Sequence, residues 1–328
     1  MKRLITLLAA ALTVAAVLAP SAMAGKSHLL SVYKVEKHID VEGEDGSYTI
    51  SCKPTDIALD GMWRVDNVDQ DNDYQDPDWP GAPTNISINK SVRPVSAIAT
   101  AAGTFTFKFT PLGGGDAQIK LFLTCLPNPL VGVDHTHSWT VSALNTVAPV
   151  GAASPNPVIG TPSATATCPG ANDILVAPGF NVLAGDPDLV RSYWNGGGTP
   201  NLKSWQWWWY DSDEAAIDHY YRCLSTRSGP ASSGPAHTHR IVTSFKTSTS
   251  LVPAEQTKEL QLSCGELYKG VLGGFDLLGP AGNFASWVKI YYLGMDPRPK
   301  TRAWKFVNLA GTPQQVRLGL LCFKDRTT

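Results

Sequence analysis

Six cysteines fall into three pairs, and an aromatic residue stands 18 positions before the closing member of each. The pairs are Cys52 with Cys125, Cys168 with Cys223 and Cys264 with Cys322, and the aromatics are Phe107, Trp205 and Trp304, followed two residues later by Phe109, Trp207 and Phe306. A fixed spacing of this kind marks a repeated structural unit. Successive closing cysteines lie 98 and 99 residues apart, and a unit of that length suits one small all-β domain. The chain therefore reads as a processed leader at 1–24 and three modules at 25–128, 129–229 and 230–328.

Strand signals fill these units and long amphipathic helices are absent. Leu29-Leu-Ser-Val-Tyr-Lys-Val, Thr104-Phe-Thr-Phe-Lys-Phe, Ser204-Trp-Gln-Trp and Val288-Lys-Ile-Tyr-Tyr are short, β-branched or aromatic, and bounded by turn formers. Alternation puts Phe105, Phe107 and Phe109 on one face of their strand. The expected fold is all-β, three tandem Ig-like β-sandwich modules with one disulfide each, and a closed barrel per module is the second choice. After each first cysteine comes a glycine beside a large apolar residue, in Asp60-Gly-Met-Trp63, Pro178-Gly-Phe180 and Gly273-Gly-Phe275. Such a glycine suggests a bulge or a turn that aims a core side chain inward. The joints read as a stiff Leu126-Pro-Asn-Pro-Leu130 and a more flexible Ser228-Gly-Pro-Ala-Ser-Ser-Gly-Pro-Ala236.

The leader has Lys2 and Arg3, an apolar run from Leu4 to Leu18, and Ala22-Met-Ala24 as a cleavage site. Its removal leaves 25 basic and 28 acidic residues, a balance that favours neither nucleic acid nor an anionic membrane. No further segment could span a bilayer as a helix. Export places the cysteines where disulfides persist, and pairing within each repeat follows from the equivalence of the three units. Secretion is expected, to the medium, the cell surface or the periplasm. Staples closing loops of 55 to 73 residues would contribute roughly 4 kcal/mol each in the chain-entropy model.

The segment Val252-Pro-Ala-Glu-Gln-Thr257, then Cys264, Gly273-Gly-Phe275, Trp304 and Cys322, resembles a loose group of secreted bacterial repeat proteins built of disulfide-stapled β-sandwich modules. The last module fits the pattern well and the other two in part. The first lacks the Gly-Gly pair and carries an acidic insertion, and the second has a long Pro/Ala/Ser-rich lead into Cys168. The resemblance implies an extracellular or surface role and brings no common catalytic activity.

Three constellations could carry chemistry. His135-Thr-His137 and His237-Thr-His239 stand at matched places before the first strand of modules two and three, with His28 at the equivalent place in module one. In extended backbone, residues i and i+2 point the same way, so each pair could offer two imidazoles to one transition metal. Two ligands do not make a site, and Asp134 is the one adjacent carboxylate, so a hydrogen-bonded polar junction is the competing reading. In the acidic stretch 66–78, Asp69, Asp71 and Asp73 have the spacing that opens an EF-hand loop, with Asp76 and Asp78 as further oxygen donors for calcium. Tyr74 replaces the loop glycine and Pro80 the final glutamate, which favours a solvated acidic loop. In Trp205-Gln-Trp-Trp-Trp-Tyr210 the 18-residue spacing assigns Trp205 and Trp207 to the core. Trp208, Trp209 and Tyr210 are then the surplus, available to an interface or to a glycan, because a flat ring stacks on a pyranose face.

No G-x-S-x-G, H-E-x-x-H or P-loop occurs, and no cysteine is left over. The expected function is a non-enzymatic extracellular structural or adhesive protein that associates with itself or with another surface component. A glycan- or ligand-binding protein using the aromatics of module two is the alternative, and a metal-binding protein using the histidine pairs is the third.

Overall fold

A computed structural model of the chain describes residues 30–41, 46–68, 92–111, 117–132, 135–150, 163–196, 200–210, 215–233, 237–278, 290–298 and 300–327. Among them are only strands and turns, as the alternating pattern requires. The first third of the chain supplies β1 (Tyr33–Val41), β2 (Gly46–Ser51), β3 (Ile57–Val68), β4 (Val92–Ala101), β5 (Thr104–Pro111) and β6 (Ala117–Leu126). Two short strands follow, β7 (Leu130–Val131) and β8 (Thr136–His137), paired with each other. The middle third supplies β9 (Asn145–Val150), β10 (Ser163–Thr167), β11 (Asp173–Ala184), β12 (Asp188–Trp194), β13 (Ser204–Tyr210) and β14 (Ala216–Ser225). The last third supplies β15 (His239–Val252), β16 (Gln256–Ser263), β17 (Lys269–Leu277), β18 (Ile290–Arg298), β19 (Thr301–Asn308) and β20 (Gln314–Thr327).

Each third forms two antiparallel triplets, and every triplet continues into one from another third. Triplet β1-β6-β3 runs into β18-β19-β16, β2-β5-β4 into β11-β14-β9, and β10-β13-β12 into β17-β20-β15, giving three six-stranded sheets. Each third thus lends one triplet to each of two sheets, and the three thirds close into a cycle. The inner edges of the thirds are therefore paired with one another. Burying β3, β4, β11, β12, β17 and β18 against one another removes six edges that would otherwise offer unpaired backbone groups.

The seams are short and built alike. Gly294 stands opposite Arg64, Ser96 and Ala97 opposite Asn181 and Phe180, and Arg191 and Ser192 opposite Asp276 and Phe275. Just before each seam the ladder slips by one residue, between Tyr292 and Gly294, Pro94 and Ser96, and Leu189 and Arg191. A bulge bends its strand locally, and repeated at one register position it turns each sheet toward its neighbour. Backbones come so close here that a Cβ at Gly179 would collide with the Ala97 carbonyl oxygen, and one at Gly274 would lie 2.8 Å from that of Ser192. Two of the glycines singled out in the sequence are therefore needed for contact between thirds.

All three disulfides form as the spacing predicts: Cys52 is bonded to Cys125, Cys168 to Cys223 and Cys264 to Cys322. Each joins the end of an outer strand, β2, β10 or β16, to a middle strand of the other sheet its third shares, β6, β14 or β20. Cys125 itself lies wholly buried on β6, opposite Tyr33 of β1 and Ala58 of β3. The sandwich-like core lies between the triplets. Trp63 and Phe180, at matched register positions, meet edge to face at 6.1 Å, and Tyr292 reaches both Trp63 at 5.5 Å and Phe275 at 4.1 Å.

Pairing also corrects the spacing rule in the middle third. Counted from the strand before the first cysteine, Thr104, Ser204 and Thr301 occupy one position, opposite Ser51, Thr167 and Ser263. Trp207 then matches Phe107 and Trp304, Trp209 matches Phe109 and Phe306, and Trp205 matches Phe105 and Arg302. From the matched position of Phe107, Trp207 and Trp304 to the closing cysteine is 18 residues in the first and last thirds and 16 in the middle one, the β13–β14 hairpin being shorter overall, so counting back from the closing cysteine misplaces the tryptophans. Cross-strand pairing is fixed by the buried face, whereas hairpin length is free to vary.

Candidate metal centre

Both crossovers between thirds meet at one place. Residues 225–232, leaving the middle third, lie between 136–140 on one side and 237–241 on the other. On the first side the N–H groups of Ser225, Gly229 and Ser232 donate to the carbonyls of Thr140, Ser138 and Thr136 at 2.8 to 3.0 Å. On the second, Ser228 donates to His239 at 2.9 Å and Ala231 to His237 at 3.3 Å, while Ile241 donates to Thr226 at 2.8 Å. The serine- and glycine-rich sequence suits this, because Ser232 Oγ also accepts the Thr136 N–H and Ser228 Oγ the His239 N–H. The joint expected to be flexible is hydrogen-bonded on both sides.

The two His-Thr-His segments flank this central segment, and they bring His135 and His137 from one side and His237 from the other to one point. His237 Nε2 lies 3.1 Å from His135 Nε2 and 3.1 Å from His137 Nε2, and the three ligand atoms lie within 4.8 Å of one another. His137 is wholly buried, and His135 and His237 are half-buried. A second bond orients His137, whose Nδ1 sits 3.1 Å from the Gly229 carbonyl. That carbonyl can only accept, so the proton is on Nδ1 and the Nε2 lone pair faces His237. This is the second contact usual for a metal-bound histidine.

A tetrahedral zinc with Zn–N bonds near 2.0–2.1 Å separates neighbouring nitrogens by about 3.3 Å, close to the two 3.1 Å separations that His237 makes. His239 does not join the converging trio. Its buried ring lies edge-on behind His137, centroids 4.5 Å apart, so the four histidines of the sequence reading become three converging imidazoles and one backing ring. His28 and Asp134 lie outside the described residues, as do the calcium candidates Asp69, Asp71, Asp73, Asp76 and Asp78.

The aromatic surplus divides in two. Trp209 is 1% exposed, packs on Phe180 at 4.8 Å and donates Nε1–H to His219 Nε2 at 2.8 Å. It is a core residue, and the reading of Trp209 as a ligand or interface residue is corrected. Trp208 and Tyr210 keep the outward alternation and are half-buried. Trp208 heads a cross-strand row, Trp208-Arg191-Asp276-Arg317, that runs through β13, β12, β17 and β20. The Arg191 guanidinium lies 4.8 Å from the Trp208 ring, and Asp276 pairs with both arginines. Trp208 therefore caps a polar ladder across the seam between the middle and last thirds, which is an interface inside the molecule.

Two buried groups escaped the sequence reading. His219 replaces the leucine found at the matched positions Leu121 and Leu318, and Arg302 replaces Phe105 and Trp205. His219 stands four residues before its closing cysteine, as do Leu121 and Leu318, so cysteine spacing exposes it, whereas matching Arg302 with Trp205 takes the strand pairing. No protein-family model matches the chain, and no curated protein matches it either.

Proposed function

We propose that this is a non-enzymatic structural protein of an oxidising, extracytoplasmic space, whose β framework carries one divalent transition metal on His135, His137 and His237. The convergence of three Nε2 atoms carries the reading. Without a cation, the two contacts at His237 Nε2 are hard to satisfy together: His137 Nε2 carries no proton, and a single N–H on His237 can serve only one neighbour. A metal resolves this by taking all three lone pairs. All six cysteines are committed to disulfides, so the donors are imidazole nitrogens, which suit zinc and copper(II). A disulfide-rich all-β fold is compatible with an extracellular structural role. The position of the histidines fits that role, since a metal there would tie the crossover into the middle third to the crossover out of it.

Titration of chelator-treated protein with zinc and with copper(II), followed by calorimetry, tests the proposal. One equivalent should bind, His237→Ala should abolish it, and the control His38→Ala, at an exposed histidine paired with Glu36, should not change it. Failure of the wild type to bind either metal, or unchanged binding by His237→Ala, refutes it.

A further inference from the structure

A cavity of about 160 Å³ lies between the first and last thirds, walled by residues of β1 and β6 on one side and β17, β18 and β19 on the other. Four cationic side chains line it, Lys34, Lys269, Arg298 and Arg302, and no acidic one does among the described residues. Two of these charges are answered elsewhere. Lys34 pairs with Glu36 at 2.8 Å, and Arg298 pairs with Glu259 at 2.8 Å and Asp296 at 3.6 Å. Lys269 makes no ion pair among the described residues.

Arg302 is 1% exposed, donates to Thr124 Oγ1 at 2.7 Å, and has Asp60 as its carboxylate neighbour at 3.6 Å. Asp60 is itself buried and accepts the Gly273 N–H at 3.1 Å. Burial pushes its carboxyl up to about 7, so its negative charge is weakly held. Arg302 Nε finds no hydrogen-bond partner among the described residues. Asp296, the other carboxylate that acts on Arg302, is shared with Arg64 and Arg298 at 3.6 Å each, and an enclosed guanidinium compensated only in this way is costly. The position also matters, because the matched residues Phe105 and Trp205 are plain core aromatics. Only the last third puts a charge there.

We infer that this cavity is a binding site for a small organic carboxylate, whose oxygens meet Lys269 and Arg302 and whose body lies against the apolar wall of Val32, Pro297 and the Tyr33 ring. A planar carboxylate matches a guanidinium fork, and the apolar wall favours an acid with a small body over a bare inorganic anion. The site is independent of the histidine centre.

Calorimetric titration of the full chain with sodium benzoate, benzyl alcohol and sodium sulfate tests the inference. Benzoate should bind saturably at millimolar concentration, and benzyl alcohol and sulfate should not. Lys269→Gln, at a half-buried rim position that leaves the core intact, should weaken benzoate binding about tenfold, as expected for a lost charged hydrogen bond. Arg298→Gln, whose charge is already paired, should weaken it less. Absence of saturable benzoate binding, equal binding of benzyl alcohol or sulfate, or an unchanged affinity in Lys269→Gln overturns it.

Discussion

Acid should cost this protein the stability that a neutral His219 gives it. His219 stands on β14 at a position that is leucine in the other two thirds, is fully buried, and accepts the Trp209 indole N–H at 2.8 Å. Burial lowers its pKa from 6.5 to about 4. In the native state the imidazole is neutral down to about pH 4, whereas the unfolded chain takes up a proton below about 6.5. The unfolded state therefore binds more protons between these values, so stability is intact above pH 6.5 and is lost as the pH falls. The full shift is worth about 3 kcal/mol, of which about 2 kcal/mol disappears between pH 7 and pH 5. Urea denaturation followed by tryptophan fluorescence, at both pH values, measures the loss directly. His219→Gln keeps an acceptor for Trp209 and cannot titrate. Its loss between pH 7 and pH 5 should be smaller than that of the wild type by about 2 kcal/mol. Equal losses in the two proteins would show that His219 protonates freely in the fold, and would refute the argument.

Other perturbations follow from the same structure. Gly179→Val should cost about 3 kcal/mol or more in urea melts because its Cβ meets the Ala97 carbonyl across a seam. Gly311→Ala, with nothing within 4 Å, should be near neutral in the same melts. Trp209→Ala should cost about 3–5 kcal/mol, as for other buried aromatics. Trp208→Ala should cost about 1–2 kcal/mol, through the lost stacking on Arg191 and partial burial. Replacing Cys168 and Cys223 by alanine opens a 55-residue loop and should lower stability by about 4 kcal/mol, read from the urea midpoint. Zinc at a hundredfold its dissociation constant should raise the unfolding free energy by about 3 kcal/mol, and His237→Ala should show no rise.

Much of this was legible beforehand. The disulfide pairs, the all-β class and the buried face of Phe105, Phe107 and Phe109 follow from cysteine spacing and period-two alternation, which are local properties that sequence carries openly. The histidine pairs were legible as pairs, because extended backbone makes i and i+2 neighbours. Their meeting was not, since His135 and His237 are 102 residues apart and come together only through hydrogen bonds between two linkers. Trp209 was misread for a related reason. Spacing measured through a hairpin drifts when the hairpin shortens, and only the cross-strand register restores the match.

The sequence by itself determined the pairing of the cysteines, the strands and the faces they bury, because each depends on residues a few positions apart or on a repeated spacing. The tertiary structure alone decided which strand edges join across thirds, that three histidines converge where both crossovers meet, and that Arg302 and Lys269 face one cavity. These outcomes rest on long-range backbone pairing. The free energy that selects it comes from edges and side chains buried against partners tens to hundreds of residues away, and no local pattern encodes which partner that is.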